Sequence, residues 1–261
     1  MDSWQGSKQQ KIVIPNSHNE KLVGLLHETG FRSEIVVLCH GFRSNKNFEI
    51  MINVAAATEK EGISAFLFDF SGNGKSEGSF YYGNYNYEVD DLHSVIQYFS
   101  NINRVVTIIL GHSKGGDVVL LYPSKYHDIP SVINLSRRYD LKKGIEERLG
   151  EDFLEIIKKQ GYIDVKDGDS GYRITEESLM DRLNTDMHEA CLKIDKECRV
   201  MTVHGSDDET VLVEDAKEFA KIISNHKLEI VEGADHCYTK YQSQLVSTVL
   251  EFIKTVIVKN N

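Results

Sequence analysis

Paired cysteines are missing from this chain. It has four cysteines, Cys39, Cys191, Cys198 and Cys237. They form no CxxC pair and show no zinc-ligand spacing, which argues against a metal site and against a disulfide scaffold. No apolar run is long enough to cross a bilayer. The opening MDSWQGSKQQ lacks the apolar core of a secretory signal. An excess of positive charge is missing as well: 30 Lys and Arg stand against 40 Asp and Glu, a formal net charge of −10. That balance argues against nucleic acid or anionic membranes as main partners. There is no long repeat and no low-complexity tract. Together these absences lead to the expectation of a cytoplasmic protein with free thiols and no membrane span. The oligomeric state is left open.

What is present is ordinary globular composition, 41% hydrophobic and 27% charged over 261 residues. The length suits one large α/β domain or two small ones, with enough apolar surface to bury that no staple is needed. Residues 1–10 are expected to be a loose tail. KIVIP and KLVGLLHE follow as strands around a polar turn at 16–19. EIVVLC, ISAFLFDF, RVVTIIL, SVINLS, RVMTVHG and KLEIVEG are further strand segments, several of them continuous apolar runs of the kind buried on both faces. Cys39, in the first of these, is expected to be a small core residue. Helical patterns separate them near 47–61, at 85–100 (with Val89, Leu92, Val95, Ile96 and Phe99 on one face), from Gly115, at 213–223 and at 241–258. Strand–helix alternation predicts a mostly parallel sheet with helices on both faces. The stretch 137–198 breaks the rhythm, being charged and helix-rich, with a turn cluster at 166–171 between two short β-like pieces. It is expected to be a lid inserted into a core made of 11–136 and 199–261.

The segment Gly111-His112-Ser113-Lys114-Gly115 is a G-x-S-x-G placed directly after a strand and directly before a helix, as a nucleophile elbow requires. The tight turn needs near-absence of side chains two residues either side of the serine, which Gly111 and Gly115 supply. The helix N-terminus behind Ser113 favours the negative charge that develops on attack.

A serine nucleophile needs a base, and the base an orienting carboxylate. HGSDDETV follows the strand RVMTV and offers Asp207 and Asp208. GADHCY follows KLEIV and offers His236. Among the other histidines, His18, His127 and His226 look solvated, His93 and His188 lie on helical segments, and His40, His112 and His204 border motifs and shape turns. Only His236 combines a loop after a strand with the right order. Asp207 and Asp208 would each cap a turn, and the residues alone do not separate them. The oxyanion formed in acyl transfer needs two N–H donors. The Lys114 amide, just after the nucleophile, is one. The loop Cys39-His40-Gly41-Phe42-Arg43 suggests the Phe42 amide as the other. Arg43, Tyr81 and Tyr82 are candidate substrate contacts, and the Lys114 side chain is either solvated or holds an anionic part of a substrate.

Two patterns mislead. DFSGNGKS at 69–76 ends like a phosphate-binding loop, but Asp69 stands where that motif needs a glycine. Asp167 and Asp169 hint at a calcium loop whose other ligands are missing.

CHGF at 39–42, FDFSGNGKSEG at 68–78, GHSKGG at 111–116, HGSDDETV at 204–211 and GADHCY at 232–237 resemble the α/β-hydrolase superfamily. More narrowly they resemble its serine aminopeptidase-like (Hydrolase_4) group, which includes feruloyl and cinnamoyl esterases, monoacylglycerol lipases and plant esterase/lipase-like proteins. The resemblance spans nearly the whole chain from about Lys11. It implies the α/β-hydrolase fold and, from the HG-x-x-D spacing of the acid loop, Asp208 as the acid. Two positions depart from the group: Asn73 replaces a histidine in the D-x-x-G-H-G loop, and Val211-Leu212 stands for V-P. The expected activity is ester hydrolysis of a small molecule through an acyl-enzyme on Ser113, without cofactor or metal. Thioesterase, acyltransferase or lyase chemistry with the same triad, or a low-turnover small-molecule receptor, are the alternatives.

Overall fold

A computed structural model describes residues 8–30, 32–168 and 170–259. Ten strands and nine helices appear among them. Eight strands form one sheet in the order β1-β2-β4-β3-β5-β6-β9-β10. β1 (Lys8–Pro15) and β2 (Lys21–Glu28) are antiparallel to each other, and β2 is antiparallel to β4 (Ser64–Phe68). From β4 onward every pairing is parallel: β3 (Glu34–Cys39), β5 (Val105–His112), β6 (Ser131–Leu135), β9 (Arg199–Gly205) and β10 (His226–Val231). This is the expected α/β architecture.

The sequence pattern follows from burial. In β3, Ile35, Val37 and Cys39 join the core on one face while Val36 and Leu38 join the core on the other. A central strand covered on both faces therefore reads as one apolar run. The edge strand β1 instead alternates, with Ile14 buried and Val13 exposed. One core packs the sheet against α2 (Tyr85–Asn101), α3 (Lys114–Tyr126) and α8 (Val213–Ile222), and the predicted face of α2 is buried as expected. The other packs it against α1 (Glu49–Lys60) and α9 (Gln242–Lys259). Cys39, Cys191 and Cys198 are buried free thiols and Cys237 is exposed. Among the described residues no helix is long and apolar enough to cross a membrane.

The stretch 137–198 holds α4 (Glu146–Leu149), α5 (Phe153–Gln160), α6 (Glu176–Asn184), α7 (Met187–Leu192) and a separate hairpin of β7 (Tyr162–Asp167) and β8 (Ser170–Thr175). Ile145, Phe153, Ile157, Ile174 and Leu179 build a small core around Tyr82. Met187, Ala190 and Cys191 of α7 pack instead into the main core.

Two expectations are corrected. Lys8–Gln10, placed in a loose tail, are paired in β1 with Leu26, His27 and Glu28, because the strand's ladder runs the full length of β2; residues 1–7 lie outside the described residues. His226 is not a solvated loop residue. It opens β10, its ring bonds the Thr202 hydroxyl at 2.7 Å, and burial pushes its pKa down to about 4. In the calcium look-alike, already discounted from the sequence, the Asp167 carboxylate is paired with Arg43 at 2.6 Å; Asp169 lies outside the described residues.

Candidate active site

β5 ends at His112 and α3 begins at Lys114, so Ser113 alone makes the turn between them. Its backbone has φ 53° and ψ −122°, a region in which a non-glycine residue costs about 1–3 kcal/mol. The surroundings impose it. The Ser113 N–H donates to the Leu135 carbonyl at 2.8 Å, and the Gly116 N–H donates to the Ser113 carbonyl at 2.8 Å. The flanking glycines are sterically required. A Cβ on Gly111 would lie 2.1 Å from the Gly115 carbonyl oxygen, and one on Gly115 would lie 2.4 Å from that of His40.

The two loops expected to supply acid and base meet at this turn. His236 Nε2 lies 3.1 Å from Ser113 Oγ, and His236 Nδ1 lies 2.7 Å from Asp208 Oδ2. Asp208 is buried, and its other oxygen accepts the Thr210 and Val211 amides at 2.9 and 2.8 Å. Burial alone would raise its pKa. Hydrogen bonds from His204, His236 and the Val211 amide outweigh burial and hold it well below the usual carboxylate range. Asp207 is exposed and accepts only the neighbouring Ser206 hydroxyl at 2.9 Å. Of the pair that the residues alone left open, it is the Asp208 carboxylate that reaches His236.

Further residues fix the His236 loop, and sequence reasoning gave them no role beyond turn shaping, or none. Burial depresses the His112 pKa to about 3, so its ring is neutral and Nε2–H donates to the His236 carbonyl at 2.8 Å. Tyr238, two residues past His236, is wholly buried. It accepts from the Ser136 hydroxyl and donates to the Val203 carbonyl, both at 2.9 Å. The base loop is thus tied to the ends of β6 and β9. A histidine inside the G-x-S-x-G and an aromatic just after the base were the available signals.

The loop 40–43 lies against the elbow: a Cβ on Gly41 would come 3.1 Å from Ser113 Cβ. His40 is buried and ties this loop to the next, accepting the Phe70 amide on Nε2 at 3.1 Å and bonding the Gly41 carbonyl through Nδ1 at 2.8 Å. The Lys114 amide, in the first turn of α3, belongs to the N–H groups a helix leaves unpaired. The Phe42 ring packs edge-on to Phe80, Tyr82 and Tyr172.

The candidate substrate contacts fare differently. Arg43 pairs with Asp167 and bonds the Ser170 hydroxyl at 3.0 Å while stacking over Tyr172, so it links the elbow side to the β7–β8 hairpin. Tyr82 is wholly buried in the small core and Tyr81 projects to solvent. The tyrosine of this stretch that lines the cavity at Ser113 is Tyr85, because α2 starts there and turns its first residue inward. The Lys114 ammonium is neither solvated nor free for an anion: it is buried and bonds Glu88 at 2.6 Å. That cavity measures about 80 Å³ and is bounded also by Phe42, Asp117, Arg138 and Arg182. Arg137, read as the start of a charged insertion, is fully buried. Its guanidinium stacks on Phe219 and lies 2.9 Å from Asp117.

The phosphate-loop look-alike is closed by its own carboxylate. Asp69 accepts the Lys46 and Lys75 amides at 2.6 and 2.9 Å and pairs with the Lys46 ammonium at 2.6 Å. The amides that would cradle a phosphate are thus occupied from within.

Comparison with known proteins agrees with this architecture. Residues 32–158 match the family model described as Hydrolase_4, serine aminopeptidase, S33. No curated protein matches the chain. Among solved structures, Est1E from Butyrivibrio proteoclasticus with ferulic acid bound is 22% identical with a TM-score of 0.79, covering 95% of this chain and 99% of that one. The α/β hydrolase GrgF from Penicillium sp. sh18 is 17% identical with a TM-score of 0.80, covering 96% and 99%. The Pyrococcus furiosus esterase Pf2001 is 21% identical with a TM-score of 0.75, covering 96% and 93%. The chain has the α/β-hydrolase fold and carries the Hydrolase_4 pattern across residues 32–158.

Proposed function

We propose that this chain hydrolyses carboxylic esters of small molecules through an acyl-enzyme on Ser113. The observation that carries the reading is the unbroken contact from Asp208 to His236 to Ser113, at 2.7 and 3.1 Å. Asp208, accepting Nδ1–H, leaves Nε2 unprotonated and aimed at the hydroxyl. His236 takes the Ser113 proton as Oγ attacks the ester carbonyl. The Phe42 and Lys114 amides hold the oxyanion, each such donor contributing about 10²–10³ in rate. The intermediate expels the alcohol, which takes the proton from His236. Water then attacks the acyl-serine, giving its proton to His236, and the acid leaves as Ser113 regains its hydrogen. No metal or cofactor enters the scheme. The esterase name of Pf2001 and the ferulic acid, a carboxylic acid, bound to Est1E support the choice of ester over other acyl compounds.

In this reading the stretch 137–198 acts as the lid. Arg138, Leu141, Gly144, Arg148 and Arg182 from it bound the cavity at Ser113, so it governs which acyl or alcohol groups fit. The test is turnover of short-chain aryl esters by the wild type and by Ser113→Ala. Turnover that disappears in the variant supports the proposal. Wild-type protein that cleaves no ester or thioester refutes it in favour of a binding protein on the same fold.

A further inference from the structure

The cavity at Ser113 has a charge opposite to that of the chain. The protein carries a formal net charge of −10, yet Lys114, Arg138, Arg148 and Arg182 line this cavity against one carboxylate, Asp117. Two of the charges inside are already matched: Lys114 bonds Glu88 and Asp117 faces Arg137. The other three cations hydrogen-bond only neutral groups among the described residues, and the one Asp117 carboxylate, already facing Arg137, is the charge that Arg138 and Arg182 share. Arg138 donates to the Thr210 carbonyl, Arg148 to the Tyr172 hydroxyl at 3.2 Å, and Arg182 to the Leu141 and Lys143 carbonyls at 2.8 and 3.2 Å. Among the described residues no ion pair involves any of the three. Guanidinium groups gathered around one small cavity repel each other, and a carboxylate bound among them relieves that repulsion with paired N–H donors.

Position and size narrow the ligand. Phe42, Ser113 and Lys114 line the cavity and the His236 ring does not. His236 must face the leaving alcohol, so this is the acyl side. About 80 Å³, several times the roughly 10–15 Å³ that one water needs, is small for a ligand site and favours a short acyl chain. Arg138, Gly144, Arg148 and Thr210 also line an outer cavity of about 770 Å³, in which acidic and basic side chains are equal in number. Arg138 and Arg148 thus stand where a mixed-charge vestibule gives way to a cationic inner chamber.

We propose that this chamber accepts a short acyl group that ends in a carboxylate, so that half-esters of small dicarboxylic acids are the preferred substrates. The inference rests on the reading of Ser113 as nucleophile, with its acyl side in this cavity.

The experiment compares aryl esters that share one leaving group and differ only in the acyl tail, butyrate against hemiglutarate. The wild type is expected to favour the hemiglutarate at least 10-fold in kcat/KM. In Arg138→Gln/Arg148→Gln the ratio of the two values should fall at least 10-fold. The ratio is internally controlled for the amount of folded protein. A second readout needs no variant: free glutarate should slow labelling of the wild type by a fluorophosphonate more than butyrate does at equal concentration. Labelling at Ser113 without a preference for the carboxylate tail overturns the proposal alone, and so does a preference that persists in the double variant. Absence of labelling overturns the nucleophile reading beneath it.

Discussion

The loops that follow β5, β9 and β10 and the stretch 137–198 are built in opposite ways. The first group hangs from β5 and β9, central strands buried on both faces, and from the neighbouring edge strand β10. Ser113 is held in a strained turn by backbone bonds, Asp208 by two amides, and the His236 loop by His112 and Tyr238. Every one of these contacts is short and few of the atoms are exposed. The β7–β8 hairpin is mostly exposed. It is linked to the elbow side through Arg43 at the surface, and its small core gathers around Tyr82 of the main fold, with Phe42 packed against it. The contrast teaches where rigidity is needed. Proton transfer demands fixed distances of about 3 Å, whereas choosing among substrates needs only a wall whose side chains differ.

That contrast can be broken or sharpened by substitution. The largest effect is expected from His236→Ala, which should lower ester kcat by roughly 10⁴–10⁶ while far-ultraviolet circular dichroism stays unchanged. Asp208→Asn should follow with a loss of about 10⁴, since the base then adopts the wrong tautomer, and steady-state kinetics should find Asp207→Asn within about threefold of wild type. Equal losses in the two would mean that the acid loop is not held as described. His112→Phe should lower kcat about tenfold with KM little changed, because it frees the His236 carbonyl without touching substrate; His112→Gln, which keeps a donor there, should recover most of the loss. Arg43→Ala should act mainly on KM, by a few-fold, if the hairpin shapes binding alone.

A pH series probes the same rigid loops. The folded pKa of Asp208 is depressed below its ordinary value of 3.8, so its contribution to stability is complete above about pH 5 and is lost as pH falls toward the folded value. The wild-type Tm should therefore drop more steeply than that of Asp208→Asn between about pH 4 and pH 2.

The rigid part was the part legible in the sequence. EIVVLC and RVVTIIL read as strands because burial on both faces leaves no polar positions, and G-x-S-x-G is readable because Gly111 and Gly115 are excluded by backbone atoms from being anything else. The acid was less legible. Asp207 and Asp208 are adjacent, and only the fold of their loop turns one inward and the other to solvent. The insertion was least legible. Arg137 and Arg138 are neighbours in a charged stretch, yet one is wholly buried against Phe219 and the other lines the cavity at Ser113. Tyr82, a candidate substrate contact, is likewise wholly buried in the small core, and Tyr85 lines the cavity instead. Pattern reports burial where an element repeats, but a side chain that meets distant partners in an irregular segment leaves no period to read.

The central claim is that Ser113 carries the acyl group. Its most direct test is intact-protein and peptide mass spectrometry of the wild type, acid-quenched during turnover of an aryl ester. The account predicts one added acyl mass, mapped to the peptide containing Ser113 and missing from Ser113→Ala. Turnover without that adduct that persists in Ser113→Ala, or an adduct on another residue, would contradict it.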